Sequence, residues 1–237
     1  MVGAQKFVTN PWGDKGDLIS SQLSTVYYSE GDQALYQQTD VHLTGYHWEK
    51  VTSFENHDKT NPIDTSVTTT LGTTVTSGEE FSTSFQMGGG ANATLGSLGF
   101  SFSTNHGEEH KTFTQTESST TVSREQHFTV QPGSNVYYYQ KVYDVEVDQT
   151  YKLDAWNQEV MVGTGGKPIT THSTLEIHSN EFMMTGEPLS GTGWINVETV
   201  DRLSQPSTVL ALEDCTGRCK DHIHSQGVRR FGSELVA

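Results

Sequence analysis

Residues 136–153 read VYYYQKVYDVEVDQTYKL, and this stretch decides the fold. Its odd positions are mostly aromatic or apolar, whereas Asp144, Glu146 and Asp148 occupy even positions. An alternation with a period of two is typical of a β-strand with one buried face. Lys141 and Gln149 interrupt the apolar parity. Fully extended, a stretch of this length spans about 60 Å, whereas ordinary strands have about five or six residues.

Two more stretches have the composition of long strands. Residues 65–76 read TSVTTTLGTTVT, and residues 112–130 read TFTQTESSTTVSREQHFTV before a turn at Pro132 and Gly133. Dense β-branched side chains disfavour a helix and favour a sheet. We therefore predict an all-β, elongated chain with long, twisted antiparallel strands. The best helical candidate is the short piece 17–24, in which Asp17 is a possible N-cap.

Composition restricts the class of protein. Hydrophobic residues make up 32% of the chain, aromatic residues 10% and charged residues 18%. The aromatic content argues against disorder, and the abundance of Thr, Ser and Gly fits extended structure with much solvated surface. The formal net charge of −15 would be repelled by nucleic-acid phosphates, so no nucleic-acid partner is expected. The sequence contains no run of 18 apolar residues, so no transmembrane helix is predicted. Residues 1–20 show no signal-peptide pattern.

The segment 81–103 has the pattern of a membrane-inserting hairpin. Two alternating arms flank the Gly-rich reversal GGGAN at 88–92, and no charged residue occurs between Phe81 and Ser103. Each arm has about the 9–11 residues that a β-strand needs to cross a bilayer. An ordinary amphipathic hairpin lying on the protein's own body is the alternative. The candidate insertion residues are Phe81, Phe85, Met87, Ala91, Ala93, Leu95, Leu98, Phe100 and Phe102.

The chain divides into three predicted sections. Residues 1–62 form an aromatic-rich head, residues 63–155 a central module with the insertion hairpin at about 78–105, and residues 156–237 a small distal β-sandwich with a tail. Within the third section, strands are predicted at 170–178, 193–200 and 207–212. Aromatic rings of the head could stack on a carbohydrate or contact another receptor. These candidate receptor-binding residues are Tyr27, Tyr28, Tyr36, Tyr46 and Trp48.

This order of segments resembles the aerolysin-like β-pore-forming toxins, the superfamily that includes clostridial epsilon toxin and mosquitocidal toxins. A Thr/Ser-rich strand leads into an uncharged hairpin, and a second such strand ends in VQPGS at 130–134 before the Tyr/Val strand. The GWINV stretch at 193–197 is similar to a strand of the family's distal sandwich. The resemblance implies a secreted, soluble monomer that binds a protein or glycan receptor on a target cell. It then forms a homo-oligomeric ring and inserts a β-barrel into that cell's membrane.

Proteolytic activation is common in that family, and the dibasic pair Arg229 and Arg230 is the candidate site here. A carbohydrate-binding, lectin-like β-protein without pore activity is the alternative function. No Ser/His/Asp constellation or convergent acid pair is found, so we do not expect an enzyme.

The two cysteines, Cys215 and Cys219, are compatible with a short disulfide loop or with two free thiols. His222 and His224 add metal-compatible ligand types, but the spacing matches no standard zinc site. Neither a metal nor a cofactor is therefore predicted.

Overall fold

The structure, a computed structural model, describes residues 6–9, 17–27, 34–77, 102–104, 122–155, 158–189, 195–197 and 203–225. Nearly all regular structure in this part of the chain is β-strand, and nearly all strand pairing is antiparallel. The predicted all-β class with long antiparallel strands is therefore confirmed. Across the same residues, no helix has the length and apolar character needed to span a bilayer.

Strands follow one another along the described chain and end in two short helical segments. They are β1 (Lys6–Thr9), β2 (Asp17–Tyr27), β3 (Ala34–Glu55), β4 (Ile63–Ser77), β5 (Phe102–Thr104), β6 (Val122–Val130), β7 (Asn135–Ala155), β8 (Gln158–Thr164), β9 (Lys167–Pro168), β10 (Thr170–Thr185), β11 (Ile195–Val197), β12 (Val209–Ala211), a 3-10 turn (Leu212–Asp214) and α1 (Gly217–Ser225).

Three long strands form the centre of the main sheet. β3 has 22 residues, β7 has 21 and β10 has 16, and β7 lies between the other two. At the rise of an extended strand, β7 is about 70 Å long. β4 pairs with the far edge of β10, while β1 and β2 both pair with the outer edge of β3. The sequence predicted the length of β7 but not that of β3.

The main sheet crosses both predicted section boundaries. β3 belongs to the section 1–62, β7 to 63–155 and β10 to 156–237. Nevertheless, β3 pairs with β7 from one end to the other, and β10 pairs with β7 over most of its length. The long strands of all three sections therefore share one hydrogen-bonded sheet.

The helix predicted at 17–24 is wrong, because these residues form part of β2. β2 pairs with β3 from Asp17 to Tyr27, with two register irregularities, and Ile19 is buried. Sheet pairing overrides a weak local helix preference. In the described residues the α-helix is instead α1, which the sequence did not predict.

The alternation of β7 corresponds to two faces that differ in burial. Every odd-numbered side chain from position 141 to position 153 is buried, while Asp144, Glu146 and Asp148 are only half-buried. Lys141 and Gln149, which interrupt the apolar pattern, are themselves buried on the same face. The interruptions are therefore buried polar positions and not breaks in the strand.

An apolar cluster closes one end of the sheet. Cys215, Cys219 and Ile223 from the region of α1 pack with residues of β3, β7 and β8; these are Leu35, Tyr151, Leu153, Val160 and Val162. Both cysteines are buried and both carry free thiols, so the disulfide alternative is not formed. Each sulfur lies among apolar side chains, and Cys215 Sγ contacts the Ala211 carbonyl oxygen at 3.7 Å.

Candidate functional site: the β4–β6 ladder

The candidate site is the two-stranded ladder formed by β4 and β6, the two strands that flank the segment 78–121 in sequence. The ladder is antiparallel and runs from the pair Ile63 and Val130 to the pair Leu71 and Val122. The Thr/Ser-rich strands predicted at 65–76 and in the later part of 112–130 are therefore confirmed as strands. Residues 112–121 and most of the predicted insertion hairpin lie outside the described residues.

β4 changes its partner at Gly72. Its first nine residues, up to Leu71, pair with β6, whereas Gly72 and the residues after it pair with β10. Gly72 has a φ of 121°, a conformation that side-chain-bearing residues rarely adopt. Gly72 thus allows one strand to join the ladder to the main sheet.

The two faces of the ladder differ in exposure and in polarity. The outward side chains are hydrophilic and mostly uncharged: Asp64, Ser66, Thr68, Ser123, Glu125, His127 and Thr129. The inward side chains are four apolar and three polar groups: Val67, Leu71, Phe128 and Val130 with Thr65, Thr69 and Gln126. Dense threonine satisfies the strand preference without a strongly apolar surface.

A row of aromatic rings attaches the ladder to the main sheet. Phe128 stacks on Tyr138 of β7 at 5.5 Å between centroids and meets Phe54 of β3 edge-on at 5.4 Å. Tyr138 in turn stacks on Phe182 of β10 at 5.4 Å. Tyr138 is only 1% exposed, and burial raises the pKa of its hydroxyl. Tyr138 has the opposite parity to the core tyrosines of β7, so the sequence pattern did not identify it.

Polar contacts complete the attachment. The Tyr138 hydroxyl donates to Gln126 of the ladder, and Gln140 Nε2 donates to the Thr70 carbonyl oxygen. Arg124 Nη1 donates to Asn180 Oδ1 at 3.2 Å on the surface. The ladder is therefore held to the main sheet by the aromatic row, by these polar contacts and by the pairing of β4 with β10 from Gly72 onward.

Two turns meet at the closed end of the ladder. Asn56 Nδ2 donates to the Val130 carbonyl oxygen at 3.1 Å and to the Asn61 carbonyl oxygen at 2.9 Å. The Asp58 carboxylate accepts hydrogen bonds from Thr60 and Asn61, and these bonds lower its pKa. The β3–β4 turn is therefore fixed against the β6–β7 turn that contains the predicted Pro132–Gly133 reversal.

The predicted receptor-binding aromatics do not form one exposed surface in the described residues. Tyr46 is 8% exposed, and the Lys141 ammonium lies 4.7 Å from its ring centroid and 5.8 Å from that of Trp48. Lys141 also lies 5.2 Å from the Tyr143 centroid and 3.4 Å from a Glu181 carboxylate oxygen. Tyr46 therefore offers no open ring face to a ligand in this state.

For the other predicted site residues, the structure describes some positions and leaves others outside the described ranges. Tyr36 and Trp48 are half-buried on β3, and Tyr27 ends β2. Phe102 lies in β5, whose backbone pairs with β11 through Val197. The predicted strands at 193–200 and 207–212 correspond to the shorter β11 and β12. Tyr28, Arg229, Arg230 and the hairpin residues from Phe81 to Phe100 lie outside the described residues.

Comparison with solved structures gives a distant structural likeness. No protein-family model matches the chain, and no curated protein sequence matches it. The crystal structure of the oligomeric pore-forming toxin pro-Monalysin is similar over 76% of this chain and 67% of that chain. The sequence identity is 12% and the TM-score is 0.40, values at which no activity can be transferred.

Proposed function

We propose that this chain is a β-pore-forming protein that binds a cell-surface receptor, assembles with further copies and inserts a closed β-barrel into the membrane. The observation that carries the proposal is the β4–β6 ladder. Its outward face is hydrophilic, a row of aromatic rings packs its inward face on the main sheet, and its two strands flank the uncharged alternating segment 81–103 in sequence.

The composition of the ladder suits a wall in contact with water, because its outward face is hydrophilic and its inward face includes Thr65, Thr69 and Gln126. A barrel that extends beyond the bilayer needs strands with an aqueous lumen on one face and solvent on the other. Thr and Ser satisfy this need without placing a row of charges in the lumen. The apolar–polar alternation in 81–103 fits the part of such a barrel that lies within lipid, where closure pairs every backbone group.

The attachment of the ladder suits a part that is released. An aromatic pair contributes about 0.5–1.5 kcal/mol beyond its buried area. The Phe128 contacts with Phe54 and Tyr138 are two such pairs. Receptor binding or contact with a neighbouring copy would have to supply the free energy that separates these rings, together with that of the β4–β10 pairing where β4 leaves with the ladder.

The carbohydrate-binding alternative is less well supported by the described residues. It depends on exposed rings, and Tyr46 is covered by Lys141. No specific contact of the described residues favours it.

A pair of disulfide variants tests the proposal. Thr76 Oγ1 and Thr174 Oγ1 lie 2.9 Å apart, so Thr76→Cys with Thr174→Cys would bond β4 to β10 and hold the ladder base on the main sheet. The matched control is Asp64→Cys with Thr129→Cys, which bonds β4 to β6 within the ladder. Dye release from liposomes and from red cells is measured for each, with and without trypsin.

We expect release by the unmodified protein, no release by the oxidised β4–β10 variant, and recovery of release on reduction. The oxidised ladder variant should release dye as the unmodified protein does. Absence of release from every membrane, or undiminished release by the locked β4–β10 variant, would contradict the proposal.

A further inference from the structure

One face of the central sheet places a histidine and two carboxylates, one from each long strand, around a common point. A ring nitrogen of His47 (β3), an oxygen of Asp144 (β7) and an oxygen of Glu176 (β10) all lie within 4.8 Å of one another. His47 Nδ1 is 3.0 Å from Asp144 Oδ2. From this geometry we propose that the three side chains bind a divalent transition-metal ion of the zinc class.

Strand register explains why these three side chains meet. Glu176 lies directly opposite Asp144 in the β7–β10 ladder, and Gly45 lies opposite Asp144 on the β3 side. A register irregularity between Leu43 and Gly45 shifts β3, which puts His47 on the same face as Asp144. Gly45 has no side chain to fill the space beside Asp144, so the ring two residues further along can reach it.

Burial and hydrogen bonding supply a second, independent observation. The His47 side chain is only 3% exposed, and its Nε2 is buried without a hydrogen-bond partner. Buried polar atoms without partners are rare in folded proteins and often mark a site for an ion or water.

The donor set selects the metal. Zinc accepts both imidazole nitrogen and carboxylate oxygen ligands, whereas calcium and magnesium prefer oxygen ligands alone. Asp144 is 31% exposed, so the ion can enter from solvent and keep a water ligand. The bound ion would connect β3, β7 and β10 on the face opposite to Lys141. The inference does not depend on pore formation.

The test is calorimetric titration of the full chain with zinc chloride after removal of metals by a chelator, together with thermal unfolding. We expect a stoichiometry of about one and a melting temperature that rises with zinc. Asp144→Asn and Glu176→Gln are close in shape to the native side chains and should each weaken binding by at least about tenfold. His47→Gln should do the same, and its folding is checked by circular dichroism.

Two controls make the assignment specific. His172→Gln removes another histidine of the same sheet, one that lies 2.7 Å from Asp148 but is half exposed. The double variant His222→Gln with His224→Gln removes the histidines near the two cysteines. Both controls should bind zinc as the unmodified protein does. The proposal would be overturned if the unmodified protein did not bind zinc, or if Asp144→Asn and Glu176→Gln bound zinc as tightly as the unmodified protein does.

Discussion

Lys141 places its ammonium 4.7 Å from the centroid of the Tyr46 ring, so a positive charge from β7 covers an aromatic ring of β3. The same ammonium is 3.4 Å from a carboxylate oxygen of Glu181, which also accepts a hydrogen bond from the Tyr143 hydroxyl at 2.5 Å. A buried lysine is tolerated when it has such partners. This cluster connects β3, β7 and the bulged region of β10.

Removal of that lysine should destabilise the protein. Lys141→Ala leaves the Glu181 carboxylate without its buried counter-ion and the Tyr46 ring without its cation, a loss of about 3 kcal/mol. The free energy of unfolding in urea measures the loss. Lys167→Ala, at an exposed position of β9, should change it by less than about 0.5 kcal/mol. Equal effects of the two substitutions would contradict the role assigned to the buried cluster.

Gly72 should tolerate no side chain. Gly72→Ala forces a Cβ into a backbone conformation with φ of 121°, which costs about 1–3 kcal/mol. Gly186→Ala is the matched control, because its added Cβ meets only the Asn135 carbonyl oxygen, at 4.0 Å. Thermal unfolding of both variants measures the difference. A Gly72→Ala protein as stable as the Gly186→Ala protein would show that β4 can change partner without a glycine.

The aromatic row should control how readily the ladder opens. Phe128→Ala removes the contacts with Tyr138 and Phe54, so the free energy of opening should fall by about 1–3 kcal/mol. Amide hydrogen exchange should then become about tenfold to hundredfold faster in residues 122–130 than in the unmodified protein. Amides of residues 143–153 should be unaffected.

His127→Ala is the control for that experiment, since His127 lies on the exposed face of the same strand. It should leave exchange in the ladder unchanged. If Phe128→Ala accelerates exchange equally throughout β7, the ladder does not open as a separate unit.

The thiols should be inert in the folded protein. Burial raises the pKa of Cys215 to about 11, so only about one thiol in a thousand is ionised at pH 8. Iodoacetamide should label neither Cys215 nor Cys219 before unfolding and both of them afterwards, as measured by mass spectrometry. Failure to label the unfolded, unreduced chain would instead indicate a disulfide.

The raised thiol pKa also gives a pH dependence with a defined sign. The folded protein holds the Cys215 proton more tightly than the unfolded chain, whose thiol has a pKa near 9.0. This contribution to stability is complete below pH 9 and is lost as the pH rises towards 11. Cys215→Ser should therefore lose less stability than the unmodified protein between these two pH values.

The sequence predicted the elements with regular alternation and missed those whose alternation is interrupted. β7 keeps one parity from position 141 to position 153, and its length was predicted correctly. β3 is as long, but register irregularities at Leu43/Gly45 and Lys50/Thr52 reverse its parity twice, so no single alternating run is visible. The long pairing partner of β7 was therefore assigned to a separate section.

The candidate site was predicted only in outline, for a similar reason. Threonine-rich composition identifies β4 and β6 as strands, but it does not say which strand Phe128 or Tyr138 packs against. Lys141 and Tyr46 lie 95 positions apart in sequence, and only the β3–β7 register brings them together. Contacts between distant strands depend on topology, which local residue patterns do not encode.

The change of partner along β4 has a consequence for self-association. β10 lies between β7 and β4, and residues 174–178 of β10 pair with the part of β4 that follows Leu71. If the ladder moved away together with that part of β4, these residues of β10 would become an unpaired strand edge. An open edge is a template for a strand from another molecule. The same displacement that frees the ladder would therefore expose a strand edge with which a strand of the next copy could pair.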